Sequence, residues 1–135
     1  MAELQTTVKF NATLLTYTNA GGNAVMPDPT ALEFIAQTRI ERQVFNINGG
    51  MGTKTFVPND EGFTVIDLLK IEVLNPNKSA RLKFNGDPTG IVIKPVQANG
   101  KAFLIVTASF LTLDIINEDP AVMQVAVSAF EKFNG

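Results

Sequence analysis

The feature of this sequence that most constrains its fold is a two-residue alternation of apolar and polar side chains, broken at short intervals by turn-forming residues. Near the N-terminus every second residue is apolar: Val8, Phe10, Ala12 and Leu14. The same period returns near the C-terminus: Met123, Val125, Val127 and Ala129. This alternation is typical of strands with one buried face, because successive side chains of a strand point to opposite sides.

Clusters rich in Gly, Pro, Asn and Asp separate nine or ten such segments, at roughly the 8 to 12 residue spacing of sandwiches and barrels. No strand-helix-strand pattern is present, which favours antiparallel pairing. We therefore predict an all-β chain, an antiparallel two-sheet β-sandwich or jelly roll of nine or ten strands with at most one short helix. Residues 1–135 are expected to form a single domain.

Three segments carry more specific structural predictions. Thr30, with Glu33 three residues later, has the spacing of a helix N-terminus, so a short helix is predicted over Ala31–Gln37. The glycine-rich segment Asn48–Gly52 lies between two β-rich runs and predicts a hairpin. A long apolar strand is predicted over Phe63–Leu74, bent near Asp67.

A weak internal repeat relates two of the predicted strands. Ile71–Asn75 and Leu113–Asn117 both read apolar, acidic, apolar, apolar, Asn, and each is followed by a turn that contains proline. Two similar hairpins in equivalent places of the two sheets would explain the repeat. Chance recurrence of a strand-Asn-turn pattern explains it equally well.

The residue types that are missing bear on function. The chain has no histidine and no cysteine, which removes the usual general base, thiolate nucleophiles and disulfides. The polar turn Asn85–Thr89 is interpreted as turn chemistry, because the spaced acidic residues of a calcium loop are missing. We expect neither an enzyme nor a bound cofactor or metal.

Charge and hydropathy limit the classes of partner that the chain is expected to bind. Eleven basic and thirteen acidic residues give a net charge of −2 without a long basic run, so no nucleic acid is expected. No apolar stretch approaches the ~20 residues that cross a bilayer, and the N-terminus lacks the features of a signal peptide. We expect a protein made in the cytoplasm that does not contact a membrane.

Polar or extended segments at the ends and in one connection favour assembly. Residues 1–7 are predicted to form an N-terminal arm and residues 20–30 a long connection, and such segments often become ordered on a neighbouring subunit. A hydrophobic fraction of 45% with only 18% charged residues also favours contact with another copy. The candidate assembly contacts are Phe133, Tyr17, Met26, Arg39 and Arg42.

The second half of the chain resembles a known group of proteins. Between Leu69 and Phe130 an Asn-Pro turn, a strand ending at Phe84-Asn85-Gly86-Asp87, an Asn99-Gly100 turn and a closing strand after Asp119-Pro120 follow one another. This order is similar to that of small β-sandwich or jelly-roll accessory proteins in tailed-phage virions. The resemblance implies a capsid decoration or cement role, or a connector role, with oligomerisation on a repeating lattice or ring.

The expected function is therefore that of a virion structural protein, a decoration subunit that binds and stabilises the phage head shell. Its expected partners are further copies of itself, in a trimer or another homo-oligomer, and a major capsid protein or other virion protein. Two alternatives are a head-to-tail connector or fibre-base protein and a carbohydrate-binding module. The lack of tryptophan and the single tyrosine count against the last, because sugar platforms use exposed aromatic faces.

Overall fold

Eleven β-strands and one 3₁₀ turn make up the regular structure of this computed structural model, which describes residues 6–12, 17–18, 20–22, 24–25, 30–107 and 109–133. The strands are β1 (Thr6–Ala12), β2 (Tyr17–Thr18), β3 (Ala24–Val25), β4 (Thr30–Ile47), β5 (Gly52–Phe56), β6 (Leu68–Val73), β7 (Ala80–Phe84), β8 (Ile91–Ile93), β9 (Phe103–Val106), β10 (Leu113–Asn117) and β11 (Met123–Lys132). The 3₁₀ turn is Pro58–Glu61. The all-β prediction is confirmed.

Two antiparallel sheets contain nine of these strands. One has the order β1-β4-β11-β6-β9 and the other the order β5-β10-β7-β8, while β2 and β3 form a separate small hairpin. Within the sheets four pairs are nested along the chain: β4 with β11, β5 with β10, β6 with β9, and β7 with β8. This nesting is that of one long hairpin rolled up into two sheets, which is the jelly-roll arrangement.

The crossings between the sheets are also held in pairs, as a rolled hairpin requires. Where β4 passes to β5, the main-chain N–H groups of Gly50 and Met51 donate to the main-chain carbonyls of Asp119 and Asn117. These bonds are each 2.9 Å long and lie beside the β10–β11 crossing. The predicted hairpin at Asn48–Gly52 is therefore wrong, because β5 pairs with β10 and not with β4. Turn-forming residues at this position carry the chain from one sheet to the other.

The internal repeat lies at equivalent positions of the two sheets. A shift of four strands along the chain relates the two sheets. It places β4, β11, β6 and β9 of the first sheet on β8, β7, β10 and β5, which is the order of the second sheet read from β8. The operation places β6 on β10, the two strands that carry the repeat. Neither strand begins a hairpin, because each is followed by a crossing to the other sheet.

The main core fills the space between the two sheets. Its fully buried side chains come from the alternating positions that the sequence marks as apolar, among them Leu69, Ile71, Val73, Leu82, Leu113, Ile115, Val125 and Val127. In β11 the predicted face of Met123, Val125, Val127 and Ala129 is confirmed as buried. The predicted strand over Phe63–Leu74 begins only at Leu68, although Phe63 and Ile66 are buried in the same core.

The segment Ala31–Gln37 is a strand, so the helix predicted there is wrong. It forms the first part of β4, where Ala31 pairs with Asn11 and Ala36 pairs with Thr6 of β1. A seven-residue ladder with β1 satisfies the main-chain groups that a helix would otherwise pair internally. Thr6 and Thr7, predicted as part of an arm, belong to this ladder; residues 1–5 lie outside the described part of the chain.

Two irregularities in the pairing of β4 with β11 invert the alternation of the residues between them. The register shifts opposite Ser128 and again between Glu131 and Lys132, with Arg42 in a left-handed conformation at φ 44°. Each extra residue moves the side chains that follow to the opposite face, so the second shift restores the alternation that the first one inverts. Phe45 and Ile47, and Ile40 between the two shifts, contact the core between the sheets, whereas Phe34 and Ala36 join a second apolar cluster on the opposite face.

The second apolar cluster lies on the face of the five-stranded sheet that points away from the other sheet. Strands β1 and the first part of β4 contribute Val8, Phe10, Leu32, Phe34 and Ala36; strands β6, β9 and β11 contribute Leu68, Ile105 and Phe130. Contact between the two groups means that the five-stranded sheet curls back on itself. The edge strand β1 therefore lies over the middle of its own sheet.

Candidate interaction surfaces

Two sheet edges end on the same flank of the molecule, joined by residues 94–102. Among the described strands, β8 pairs only with β7 and β9 pairs only with β6, so each has one side without a described strand partner. Unpaired strand edges present a row of main-chain donors and acceptors that another extended segment can use. We refer to this flank, residues 91–103, as the edge surface.

Apolar side chains are unusually exposed on the edge surface. Val96 is 95% exposed and Phe103 is 62% exposed, and both border a shallow depression of about 380 Å³ together with Lys94 and Lys101. On neighbouring β8, Ile91 and Val92 each expose almost half of their surface. Adjacent exposed apolar residues with a polar rim are characteristic of protein-protein contact.

The positive charges of the edge surface are not neutralised within the described part of the chain. Neither Lys94 nor Lys101 is within ion-pair distance of a described carboxylate. No acidic residue occurs between Ile91 and Phe103. A partner with acidic groups around an apolar centre would complement this surface.

A second concave surface lies where β1 curls over the five-stranded sheet. This sheet cleft has a volume of about 630 Å³ and is bounded on one side by β1 and on the other by Leu68, Lys70, Ile105, Ser128 and Phe130, with Glu41 at its margin. Its floor belongs to the second apolar cluster. The cleft thus lies where the curl of the sheet brings β1 over β6, β9 and β11.

A buried carboxylate fixes the irregular part of β4. Glu131 is only 1% exposed, and its Oε1 accepts hydrogen bonds from the N–H groups of Thr64 (2.6 Å) and Val65 (2.9 Å). The side-chain amide of Gln37 donates to Oε2. Burial by itself raises the pKa of the Glu131 carboxyl, but hydrogen bonds from Val65, Gln37 and Thr64 outweigh burial and hold the pKa below its ordinary value of 4.5.

The five residues predicted as assembly contacts do not gather at one place. Arg39 and Arg42 lie on β4, where they pair with Glu41 (2.7 Å) and Glu72 (3.5 Å). Phe133 follows β11, is 45% exposed, and donates its N–H to the carbonyl of Ile35 over 2.7 Å. Tyr17 pairs with Val25 in the β2–β3 hairpin, and Met26 lies outside the described residues. Their role in assembly stays a prediction.

The sequence analysis did not identify the edge surface, because the residues around Phe103 do not distinguish an exposed side chain from a buried one. Phe103 follows Ala102 and precedes Leu104, and in this apolar run alternation does not reveal which side chains are exposed. Its side chain lies opposite Glu72 on the outward face of the last strand, where none of the described strands covers it. The exposure of Val96 is predictable from the sequence, because Val96 lies in a turn-rich connection between two strands.

In the described part of the chain, no group of three His, Cys, Asp or Glu side chains comes close enough to hold a metal ion. None of the described helices is long and apolar enough to span a membrane. The Asn85–Thr89 turn uses its polar groups internally, because Asn85 Oδ1 accepts the N–H of Leu111 and Asp87 Oδ1 that of Thr89.

Comparison of the chain with protein-family models, with curated proteins and with solved structures finds no match.

Proposed function

We propose that this chain is a virion structural protein of a tailed bacteriophage, a capsid-decoration subunit that binds the head shell and stabilises it through oligomeric contacts. The jelly roll is compatible with this role, because viral capsid proteins and lectins both use it. A fold alone does not determine function. The observation that carries the proposal is the edge surface, where two edge strands, each paired on one side among the described strands, expose apolar side chains.

The proposed contact combines two kinds of interaction. An extended segment of a neighbouring subunit can add to the free side of β8 or β9 by main-chain hydrogen bonds. Burial of Phe103 and Val96 adds an apolar contribution, and Lys94 and Lys101 favour an acidic partner at the rim. Such a contact is weak for one copy, but many copies on one shell bind together much more strongly.

Sedimentation experiments test the proposal directly. The unmodified protein is expected to form oligomers in a concentration series and to cosediment with phage heads. Phe103→Glu places a charge in the apolar centre of the edge surface and should shift the protein to monomers with little binding to heads. Val122→Ser is the control, because Val122 is also exposed (57%) but lies just before β11, outside residues 91–103 of the edge surface.

Three results would contradict the proposal. The first is a protein that stays monomeric at high concentration and does not bind heads. The second is equal loss of association in the Phe103 and Val122 variants, which would remove the edge surface as the contact. The third is immunogold labelling at the neck or tail of the particle instead of the shell, which would assign the protein to a connector.

A further inference from the structure

We infer that the sheet cleft is a binding site for small amphipathic carboxylates, with the apolar chain against the second apolar cluster and the carboxylate at Lys70 and Ser128. The inference is independent of the proposed function, because it uses neither the edge surface nor an oligomer.

The shape of the cleft fits a small molecule. Its volume of about 630 Å³ lies within the ~300–1,000 Å³ that small-molecule sites occupy. Five of its lining residues are apolar: Val8, Phe10, Leu68, Ile105 and Phe130. Val8 and Leu68 are buried in the cluster, whereas the other three are only partly covered, so an apolar ligand can complete their burial.

The polar end of the cleft carries an unbalanced positive charge. Lys70 and Ser128 lie opposite each other on adjacent strands and on the outward face. Lys70 has no ion-pair partner among the described residues, whereas Glu41 at the margin is paired with Arg39 at 2.7 Å. A ligand with an anionic head is therefore favoured over a neutral or cationic one.

Ser128 can donate the second hydrogen bond. Its Oγ accepts the N–H of Arg42 over 3.2 Å, at the register shift in β4, and this leaves the hydroxyl proton available for another acceptor. The ammonium of Lys70 and the hydroxyl of Ser128 can then bind the two oxygens of one carboxylate. The adjacent row of the sheet, Leu68 and Phe130, continues from this polar end along the apolar floor.

Isothermal titration of the full chain with decanoate, below its micelle concentration, tests the inference. Decyltrimethylammonium and maltose serve as comparison ligands. We expect saturable binding of decanoate and at least tenfold weaker binding of the cation, because one lost charge-assisted hydrogen bond corresponds to about a factor of ten. Maltose should not bind, since it lacks both an apolar chain and a negative charge.

Two variants connect the binding to the cleft. Lys70→Met keeps the length of the side chain but removes its charge, and it should weaken decanoate binding about tenfold. Lys83→Met is the matched control, because Lys83 is also a strand lysine without a described ion pair but belongs to the four-stranded sheet. A melting temperature equal to that of the wild type verifies that each variant is folded.

The inference is overturned if decanoate shows no saturable binding, or if the cationic amphiphile binds equally well. Equal effects of Lys70→Met and Lys83→Met would also overturn it, because the binding would then not depend on the cleft. Binding of maltose in preference to decanoate would instead identify a carbohydrate site.

Discussion

Replacement of Glu131 tests the physical basis of the curled sheet. In Glu131→Ala the N–H groups of Thr64 and Val65 and the amide of Gln37 lose their common acceptor. Each buried donor without a partner costs about 1–3 kcal/mol. Thr64 and Gln37 are exposed and can turn to water, whereas the half-buried Val65 cannot do so easily. We therefore expect the free energy of unfolding to fall by about 3 kcal/mol.

Glu131→Gln is the informative companion variant. Its carbonyl oxygen can still accept from both main-chain groups, and the amide of Gln37 can turn to present its oxygen. The loss is confined to the negative charge, and neutral hydrogen bonds have roughly half the strength of charge-assisted ones. We expect a cost of about 1 kcal/mol at neutral pH, measured by urea unfolding.

The sign of the pH dependence follows from the lowered pKa of Glu131. As the pH falls below 4.5, the unfolded chain takes up a proton at this residue before the folded chain does. The stabilisation from the ionised carboxylate is therefore complete above the unfolded pKa and is lost as the pH falls through the folded pKa. The stability difference between the wild type and Glu131→Gln should shrink accordingly in acid.

Two outcomes would refute this reasoning. A Glu131→Ala protein within ~0.5 kcal/mol of the wild type would mean that the three hydrogen bonds do not stabilise the bulge. A difference between wild type and Glu131→Gln that stays constant from neutral pH to about pH 3 would mean that Glu131 does not contribute as an ionised group.

Two further predictions concern the paired crossings at the other end of the sheets. Asn117→Ala should lower the free energy of unfolding by about 3 kcal/mol in a urea titration, because the fully buried Asn117 amide donates to two main-chain carbonyls. A decrease below ~0.5 kcal/mol, as small as that of an exposed residue, would contradict this role. Gly49→Ala should lower the melting temperature more than Gly50→Ala does. A Cβ at Gly49 would lie 2.2 Å from the carbonyl oxygen of Pro120. A Cβ at Gly50 would meet open space, and only the left-handed φ of 68° would strain it. The opposite order would show that this crossing is not tightly packed.

Where the sequence predicted strands correctly, the decisive information was local. In β11 and in β7 the two-residue period of the side chains predicts which residues are buried, because a polar group on the covered face costs free energy unless it is hydrogen-bonded, as Glu131 is. The turn at Asn85-Gly86 was equally readable: both residues have positive φ, which Asn and Gly adopt at little cost.

Where the sequence misled, a distant segment of the chain decided the outcome. Ala31–Gln37 has the spacing of a short helix, but β1 lies beside it and supplies a complete ladder. Asn48–Gly52 has the composition of a hairpin turn, and the same residue types serve a crossing between sheets. Turn composition records only the local main-chain conformation, so it does not state which strand comes next in the sheet.

The candidate surfaces depended on the tertiary structure even more strongly. Phe103 reads as a core residue, and only its position on the last strand of a sheet exposes it. Lys70 and Val8 are far apart in sequence, and the curl of β4 brings them to one cleft.

The sequence alone thus determined that the chain is all-β, with most of its strands and turns and the buried face of its regular strands, because these follow from side-chain period and local conformation. The tertiary structure decided the nesting of the strands, the curl of the five-stranded sheet and the exposure of its edges. These depend on which distant segments pair, and on bulges whose stabilising partner, Glu131, lies more than ninety residues from the Gln37 amide that it binds.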